Sequence, residues 1–295
     1  MLSIEDEIYT DLVITGETFS NKTYKNCEFI NITFNKCLFK NVQFIDDCYL
    51  VNVVFDSCTS DNMDFEKIKL LYSIFLKSKM KSTSFINANI SGSRFYSSMF
   101  LDTKFKDLVI YKTLLENSSF IRTQCEEVYL CSVSMYSIDF RNSSFDNFIF
   151  EYDVDIQESN FSDCKFVNSS FGIPHITDTI FDKSHFTNVI CVNDSEIVNN
   201  SFENGVYENT QMFDSELVSH KWKPVAFNML SPVSNRPQTL SDTRSRDLPL
   251  IYRVLFDKPD RGEIFHTQPR HIPSNSLERT AINIPDNQMA YEPTS

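Results

Sequence analysis

The sequence predicts an all-β solenoid, in which very short strands coil around a common core, and three observations support this fold class. A large apolar residue, most often Phe, returns every five positions over most of the 295 residues. The residue two positions earlier is usually small, and the positions beside it are mostly polar. Only five Gly residues occur, so ordinary residues must form the tight turns between strands.

The five-residue period fits neither a helix nor a flat strand. Five residues rotate about 140° beyond one full turn of an α-helix, so the Phe side chains would spiral around it. Side chains on a strand alternate between faces, so an odd spacing would place successive Phe residues on opposite faces. A corner every five residues returns each Phe to the interior. The pattern therefore predicts stacked aromatic ladders inside a solenoid.

The register of central apolar residues begins at Ile14 and ends at Phe227, with Ser60 as a polar exception. It slips by one residue after Tyr49, after Phe150 and after Cys191. We expect each slip to be a bulge or an extended corner that projects outward and leaves the number of coils unchanged. Eight central rings are predicted to form the core ladder: Phe29, Phe39, Phe85, Phe100, Phe120, Phe140, Phe166 and Phe186.

Three segments are expected along the chain. Residues 1–13 are predicted to form an N-terminal cap, and residues 14–227 form the solenoid. Residues 228–295 lack the five-residue register and are rich in Ser, Pro, Asn and Arg, so we expect a largely irregular tail. Its apolar stretch, residues 248–256, is a candidate cap, because the open end of a solenoid presents unpaired strand edges.

The apolar residue at every fifth position and the small residue two before it resemble the pentapeptide-repeat family. The resemblance covers about residues 14–227 and implies a right-handed parallel β-helix with four sides per coil. About 20 residues would then form one coil, and each coil would add about 4.8 Å. The expected rod has about ten or eleven coils and a length of roughly 50 Å.

The stretches with Phe at the centre, such as residues 29–34, 117–120 and 163–171, together with residues 47–49, resemble the luminal loop of synaptic vesicle glycoprotein 2, a transporter-like membrane protein. This resemblance implies a non-enzymatic, glycosylated protein-interaction scaffold in a luminal or extracellular compartment. The chain itself has no apolar stretch of about 18 to 20 residues that could span a membrane. Its first 20 residues also lack the apolar core of a signal peptide.

The alternative is a free cytoplasmic protein, if this chain is complete. It would resemble those acidic pentapeptide-repeat proteins that mimic DNA and bind a topoisomerase or another basic protein. The formal net charge is −13, and it lies on the solenoid because the tail is neutral. An acidic rod repels nucleic acid and favours a basic protein partner. The same charge would also serve simply to keep an aromatic-rich repeat soluble.

Nine Asn-x-Ser/Thr motifs occur in the sequence. Six of them are predicted to lie on outward corners, where a glycan can be accommodated: Asn21, Asn31, Asn117, Asn142, Asn168 and Asn199. The competing interpretation is that a repeat rich in Asn, Ser and Thr produces this motif by chance.

The eight Cys residues all fall within the solenoid. Cys37 and Cys58 are expected to stack in adjacent coils about 5 Å apart, which permits a disulfide. In-register stacking also aims the two Cβ vectors the same way, which favours reduced core cysteines. No Cys-x-x-Cys pair exists, so a zinc site is not expected.

No enzyme, cofactor or small-molecule site is expected. The five His residues have no metal-ligand spacing, and neither a phosphate-binding Gly-rich loop nor a nucleophile elbow is present. Asp153, Asp155 and Glu158 cluster at the second slip and are of the residue type that ligates calcium. No Gly stands there to form a calcium-binding turn, so a solvated acidic corner is the favoured interpretation.

Overall fold

The computed structural model describes residues 1–151, 153–172, 174–191, 196–212, 221–223 and 226–229. The chain divides into two units, Met1–Thr239 and Leu240–Ser295. The strands described below lie in the first unit. Apart from residues 228–229, the predicted tail and its candidate cap, residues 248–256, lie outside the described residues.

The described residues form an all-β parallel solenoid with four sides per coil. Each strand pairs in parallel with the strand 20 or 21 residues further along, as Phe19 pairs with Phe39 and Phe44 pairs with Phe65. The third side alone forms a sheet of 10 strands with one strand per coil. Ten coils at about 4.8 Å each give a rod of about 48 Å, which agrees with the sequence prediction.

We number the four sides in the order in which the chain meets them, starting from Leu2. The third side contains Val13–Thr15, Thr33–Asn35, Val54–Asp56, Ile74–Leu76, Arg94–Tyr96, Leu114–Glu116, Ser134–Tyr136, Val154–Gln157, Pro174–Thr177 and Glu196–Val198. Strands confined to the second side are Ile8–Thr10, Glu28–Ile30, Tyr49–Val51, Lys69–Leu71, Asn89–Ser91, Ser170–Phe171 and Ile190–Cys191.

The first and fourth sides contain both short strands and strands that continue around a corner. The first side alone contains Leu2–Glu5, Lys165–Val167, His185–Thr187 and Ala226–Met229, and the fourth side alone contains Met99–Leu101, Ser119–Ile121, Ser201–Glu203 and Lys221–Lys223. Strands that run from the fourth side into the first are Thr18–Lys25, Leu38–Ile45, Thr59–Glu66 and Lys79–Ile86. Strands that run from the first side into the second are Lys104–Tyr111, Gln124–Cys131, Ser144–Phe150 and Val206–Met212.

The coils already begin in the segment that the sequence assigned to a cap. Leu2–Glu5 pairs with Thr18–Lys25, and Ile8–Thr10 pairs with Glu28–Ile30. Residues 1–13 therefore contribute strands to the first coil and continue the same parallel register.

The first slip lies earlier than predicted, and the central residue is Leu50 rather than Tyr49. Asp46 and Asp47 both adopt positive φ angles, of 50° and 66°, so the corner before the strand takes the extra residue. Leu50 is consequently buried and pairs with Phe29. Tyr49 points outward, where its hydroxyl accepts a hydrogen bond from Lys69 Nζ at 2.8 Å.

The other two slips lie where the sequence placed them. Met135 pairs with Ile156 across the second slip, and Ile176 pairs with Ile197 across the third. Both pairs are 21 residues apart, and parallel pairing continues on either side. Residues 192–195, between the strands on either side of the third slip, lie outside the described part of the chain.

The corners between strands share one backbone conformation, and residues other than Gly must adopt it because the chain contains few Gly residues. The residue two after each central residue adopts a left-handed conformation, with φ near 50°, as in Asn31, Lys77 and Arg122. Asn and Asp occupy many of these positions because their short polar side chains tolerate this conformation. Corner side chains also bond along the rod: Asn31 Nδ2 donates to Asp11 Oδ1 at 2.9 Å, and Asn52 Nδ2 donates to Asn31 Oδ1 at 3.1 Å.

The core consists of aromatic ladders that run along the rod. All eight rings predicted for the ladder are at most 4% exposed. Rings in adjacent coils stack in parallel, for example Phe65 on Phe85 at 4.7 Å and Phe145 on Phe166 at 4.6 Å between centroids. Rings on neighbouring sides meet edge to face, so both preferred aromatic geometries are present.

The small inward residues two before each ring complete the backbone hydrogen bonding. Ser78 Oγ accepts the N–H of Cys58 at 3.0 Å and donates to the carbonyl of Phe55 at 2.8 Å. Cys58 makes the equivalent contact one coil earlier, where its Sγ donates to the carbonyl of Phe34 at 3.2 Å. A buried N–H without a partner is costly, which explains the preference for Ser, Thr and Cys at this position.

Candidate protein-interaction surface

The first side and its following corner form the most acidic surface of the rod, which we call the acidic face. Its outward carboxylates are Glu5, Asp6, Asp46, Asp47, Asp64, Glu66, Asp107, Glu126, Glu127, Asp146 and Glu208. Its outward lysines are Lys25, Lys67, Lys104, Lys106 and Lys165. Eleven carboxylates against five lysines leave an excess of six negative charges on this side.

The fourth side is balanced over the first ten coils, where the first side carries ten carboxylates against five lysines because Glu208 belongs to the eleventh coil. Its outward bases between the first and tenth coils are Lys40, Lys79, Lys81, Arg122, Arg141 and Lys183. Its outward acids in that range are Asp61, Asp102, Asp139, Asp163, Asp182 and Glu203. Arg122 Nε pairs with Asp102 at 2.7 Å, and Arg141 Nη2 pairs with Asp139 at 2.7 Å. The first side therefore carries the largest net negative charge, and the third side, with six outward carboxylates against three bases, has a smaller excess of three.

Within the acidic face, several carboxylates are partly neutralised and others repel each other. Asp46 lies 3.5 Å from both Lys25 and Lys67, and Lys106 Nζ lies 2.7 Å from Glu126 Oε1. At the corner that directly follows Glu126, a hydrogen bond to Asp107 together with burial raises the pKa of Glu127. Stacked corners of adjacent coils thus bring like charges close together.

The sequence predicted that the net charge lies on the solenoid, but it did not predict on which side. Each charged residue can be assigned to a side only when the coil length of 20 or 21 residues is known. The same spacing distributes the lysines at positions 67–81 over different sides of the rod. Lys67 lies on the first corner, Lys69 on the second side and Lys77 on the third corner.

The six asparagines predicted as glycosylation sites all lie at exposed corners. Each has a positive φ angle, between 49° for Asn168 and 59° for Asn142. Several also belong to the side-chain ladders along the rod, since Asn41 Nδ2 donates to Asn21 Oδ1 at 3.1 Å and Asn168 Nδ2 donates to Asp146 Oδ1 at 3.2 Å. Their exposure makes them accessible to modification, and attachment of a glycan remains a prediction.

The acidic residues at the second slip do not form a metal centre. Asp153 occupies a corner with φ of 53°, while Asp155 accepts hydrogen bonds from Gln157 Nε2 at 2.9 and 3.1 Å. Glu158 lies at the next corner. Within the described residues, no group of three or more His, Cys, Asp or Glu side chains is placed to hold a metal ion.

The seven cysteines that are described are all free thiols. Burial raises the pKa of Cys48 to about 11 and that of Cys58 to about 12. These thiols therefore stay protonated near neutral pH and act as hydrogen-bond donors to the backbone instead of nucleophiles.

A small hollow occurs at the N-terminal end of the rod, and its lining is aromatic and aliphatic. It is lined by Tyr9, Leu12, Ile14, Phe19, Tyr24, Phe29, Ile32 and Phe34. This lining offers little to fix the orientation of a polar ligand. The described residues contain no helix with the length and hydrophobicity required to cross a membrane.

A protein-family model described as pentapeptide repeat region matches residues 17–95. This match supports the pentapeptide-repeat family. The matched segment lies within the first five coils, and the parallel pairing continues beyond it to Met229. No curated protein sequence matches the chain.

Solved structures with the same kind of solenoid have low sequence identity to this chain. QnrB1, a plasmid-mediated fluoroquinolone resistance protein, is 15% identical, with 77% of this chain and 92% of that chain covered and a TM-score of 0.41. HetL, a pentapeptide repeat protein involved in heterocyst differentiation regulation in the cyanobacterium Nostoc, is 8% identical, with 74% and 86% covered and a TM-score of 0.36.

An enzyme is also among the similar structures. The catalytic unit of an alpha-1,3-glucanase from Streptomyces thermodiastaticus is 10% identical, with 77% of this chain and 52% of that chain covered and a TM-score of 0.38. Identities this low carry no information about activity. We therefore argue function from the surfaces of this chain.

Proposed function

We propose that the protein is a non-enzymatic protein-interaction scaffold whose acidic face binds a basic surface of a protein partner. The observation that carries this proposal is the excess of six carboxylates on the first side. The other three sides have a smaller net charge or none. Stacked coils repeat these charges about every 4.8 Å along the rod. Such an array steers a basic partner and repels nucleic acid.

The rigidity of the rod supports this role. Its interior is filled by stacked rings, and its outer surfaces are rows of short side chains on parallel strands. A small molecule needs a concave site with a few convergent polar groups, whereas a flat charged side suits a protein partner. The scaffold therefore recognises its partner by charge and spacing.

Charge reversal on the acidic face tests the proposal. The full chain carrying Glu126→Lys and Asp146→Lys should lose capture of its partner from a lysate, and the capture by the unmodified chain should weaken as salt is raised. The matched control is Asp163→Lys with Asp182→Lys on the fourth side, which should retain capture. Equal loss in both variants would show that total charge, rather than the acidic face, determines binding.

The acidic face also favours a second candidate, in which the rod mimics the charge of duplex DNA and occupies the DNA-binding cleft of a topoisomerase. A supercoiling assay with a type II topoisomerase tests this function directly. Inhibition that is relieved by added linear DNA and abolished by Glu126→Lys with Asp146→Lys is expected. Unchanged enzyme activity at high protein concentration would exclude this candidate.

The luminal interpretation concerns the compartment in which the scaffold acts. It is supported by the Phe-centred repeats and by the exposure of the six corner asparagines. If the protein enters a secretory compartment, expression in a eukaryotic cell should produce a mass shift that an N-glycosidase removes. Substitution of Asn117 and Asn142 by Gln should reduce that shift. An unglycosylated product would favour the cytoplasmic alternative.

A further inference from the structure

In its middle coils, the outer surface of the second side differs from the other three because it is nearly free of charge. We call this part the apolar face, and its outward strand residues in the third to seventh coils are Tyr49, Val51, Lys69, Leu71, Asn89, Ser91, Val109, Tyr111, Tyr129 and Cys131. Glu28 in the second coil and Glu151 in the eighth mark its two ends. Lys69 is the one charged residue among them. In the third to seventh coils, the first and fourth sides each carry five charged residues at the corresponding ten positions, and the third side carries three.

The parallel register aligns these residues into two continuous rows. Val51 pairs with Leu71, Leu71 with Ser91, and Tyr111 with Cys131. In the other row, Tyr49 pairs with Lys69 and Val109 pairs with Tyr129. The side chains lie side by side along the rod, and most are only half-buried by their neighbours.

Lys69 and Asn89 add little exposed polar surface to the apolar face. Lys69 Nζ lies over the ring of Tyr49, 4.6 Å from its centroid, and donates a hydrogen bond to its hydroxyl. Asn89 Oδ1 is shielded from solvent and accepts no hydrogen bond from the described residues. The exposed ring of Tyr72, at the following corner, extends the aromatic surface and is 63% exposed.

The dimensions of the apolar face favour a second sheet as its cover. Five coils of about 4.8 Å each give a length of about 24 Å, and five residues of about 3.3 Å give a width of about 16 Å. A single α-helix is about 10 Å across and would leave part of this width uncovered. A second copy of the same face matches the width, since two sheets pack face to face at about 10 Å.

The corner charges select one arrangement of the two copies. When both rods run in the same direction around a two-fold axis parallel to them, each coil faces the same coil of the other copy, and the first corner faces the second. Lys112 of one copy then lies opposite Asp107 of the other, and Tyr72 lies opposite Lys67. An antiparallel pair centred on Ser91 would instead bring the acidic corner of the third coil, at Asp47, opposite Glu127.

We propose that the apolar face packs against the apolar face of a second copy, forming a side-by-side dimer with parallel rods. The two faces would bury about 770 Å² of flat area in total, which is below the size of stable interfaces and corresponds to a weak, reversible one. The first-side strands of the acidic face remain accessible in this dimer, while its corner residues lie at the edge of the interface, so the scaffold would present two such strand surfaces. This inference does not depend on the partner of the acidic face.

Sedimentation equilibrium of the full chain over a wide concentration range tests the dimer. The unmodified protein should show a reversible monomer–dimer equilibrium. Leu71→Lys places a charge in the middle of the apolar face and should weaken the dimer at least tenfold. Leu76→Lys is the matched control, because it changes the same residue type at the same strand position of the same coil on the third side, and it should leave the dimer unchanged.

A charge exchange tests the parallel arrangement and guards against misfolded variants. Lys112→Glu and Asp107→Lys should each weaken the dimer, and the double variant should restore it, with the secondary structure of each variant checked by circular dichroism. Restoration by the double variant would support the proposal even if Leu71→Lys failed to fold. A protein that is monomeric at all concentrations, or a dimer that Leu71→Lys and Leu76→Lys weaken equally, would overturn it.

Discussion

The ring of Phe100 stacks on the ring of Phe120 with 4.8 Å between their centroids and an interplanar angle of 6°. The two residues are 20 positions apart, and their backbones pair in the same register. Each ring therefore holds its own coil together and also positions the next one. Stability in such a rod arises largely from contacts between neighbouring coils.

Phe100→Asp should destabilise the protein strongly, because the substitution places a charge in a fully buried position. The expected loss is about 4 kcal/mol or more, measured by urea-induced unfolding. The neighbouring Leu101 points outward on the same strand, so Leu101→Asp should cost less than about 1 kcal/mol. Similar losses for the two variants would show that the register of inward residues is wrong.

Ser78→Ala should cost about 1 to 3 kcal/mol, because it leaves the buried N–H of Cys58 without an acceptor. Ser78→Cys should be close to the parent protein, since Cys48 Sγ already accepts the N–H of Cys27 and Cys58 Sγ donates to the carbonyl of Phe34. Thermal or urea unfolding of the three proteins would measure the difference. If Ser78→Cys were as destabilised as Ser78→Ala, hydrogen bonding would not be the reason for small polar residues here.

Gly92→Ala should be destabilising for two reasons that can be separated. Gly92 has a φ of +61°, and an added Cβ would lie 2.6 Å from the ring of Tyr72. The positive φ angle alone should lower the free energy of unfolding by about 1 kcal/mol, and the clash with the ring should lower it further. In a Tyr72→Ala background only the loss from the φ angle should remain. Equal costs in both backgrounds would mean that the tyrosine ring moves aside freely.

Glu127→Gln should stabilise the protein at pH 7 and have little effect near pH 3. The hydrogen bond to Asp107 raises the pKa of Glu127, so the folded state binds this proton more tightly than the unfolded chain does. The resulting stability is present below the ordinary pKa of Glu and is lost as pH rises through the folded value. Gln removes the repulsion, and the gain at pH 7 should be about 0.5 kcal/mol.

The control for this pH dependence is Glu28→Gln. Glu28 pairs with Ile8 in one neighbouring coil and with Tyr49 in the other, so no carboxylate occupies its register positions. Its substitution should leave the free energy of unfolding at pH 7 unchanged. Denaturation curves at several pH values would show whether the gain belongs to the Asp107–Glu127 pair.

The five-residue period was sufficient to predict a solenoid with inward rings and polar corners, and the four sides per coil followed from the resemblance to the pentapeptide-repeat family. It could not place the first slip, because Tyr49 and Leu50 are both apolar and either fits a six-residue step. The structure decides this through the two left-handed residues Asp46 and Asp47. The acidic and apolar faces were also not predicted, since residues such as Val51 and Leu71 look unrelated until the coil length assigns them to one side.

The left-handed corners and parallel strands have a consequence for how the molecule bears load. The hydrogen bonds between coils, such as that from the N–H of Ile74 to the carbonyl of Val53 at 2.8 Å, run along the rod axis. A pulling force applied along this axis would act on the coils in series, so the terminal coil would detach first and release about 20 residues. Under tension the molecule would lengthen stepwise, as an extensible tether that yields one coil at a time.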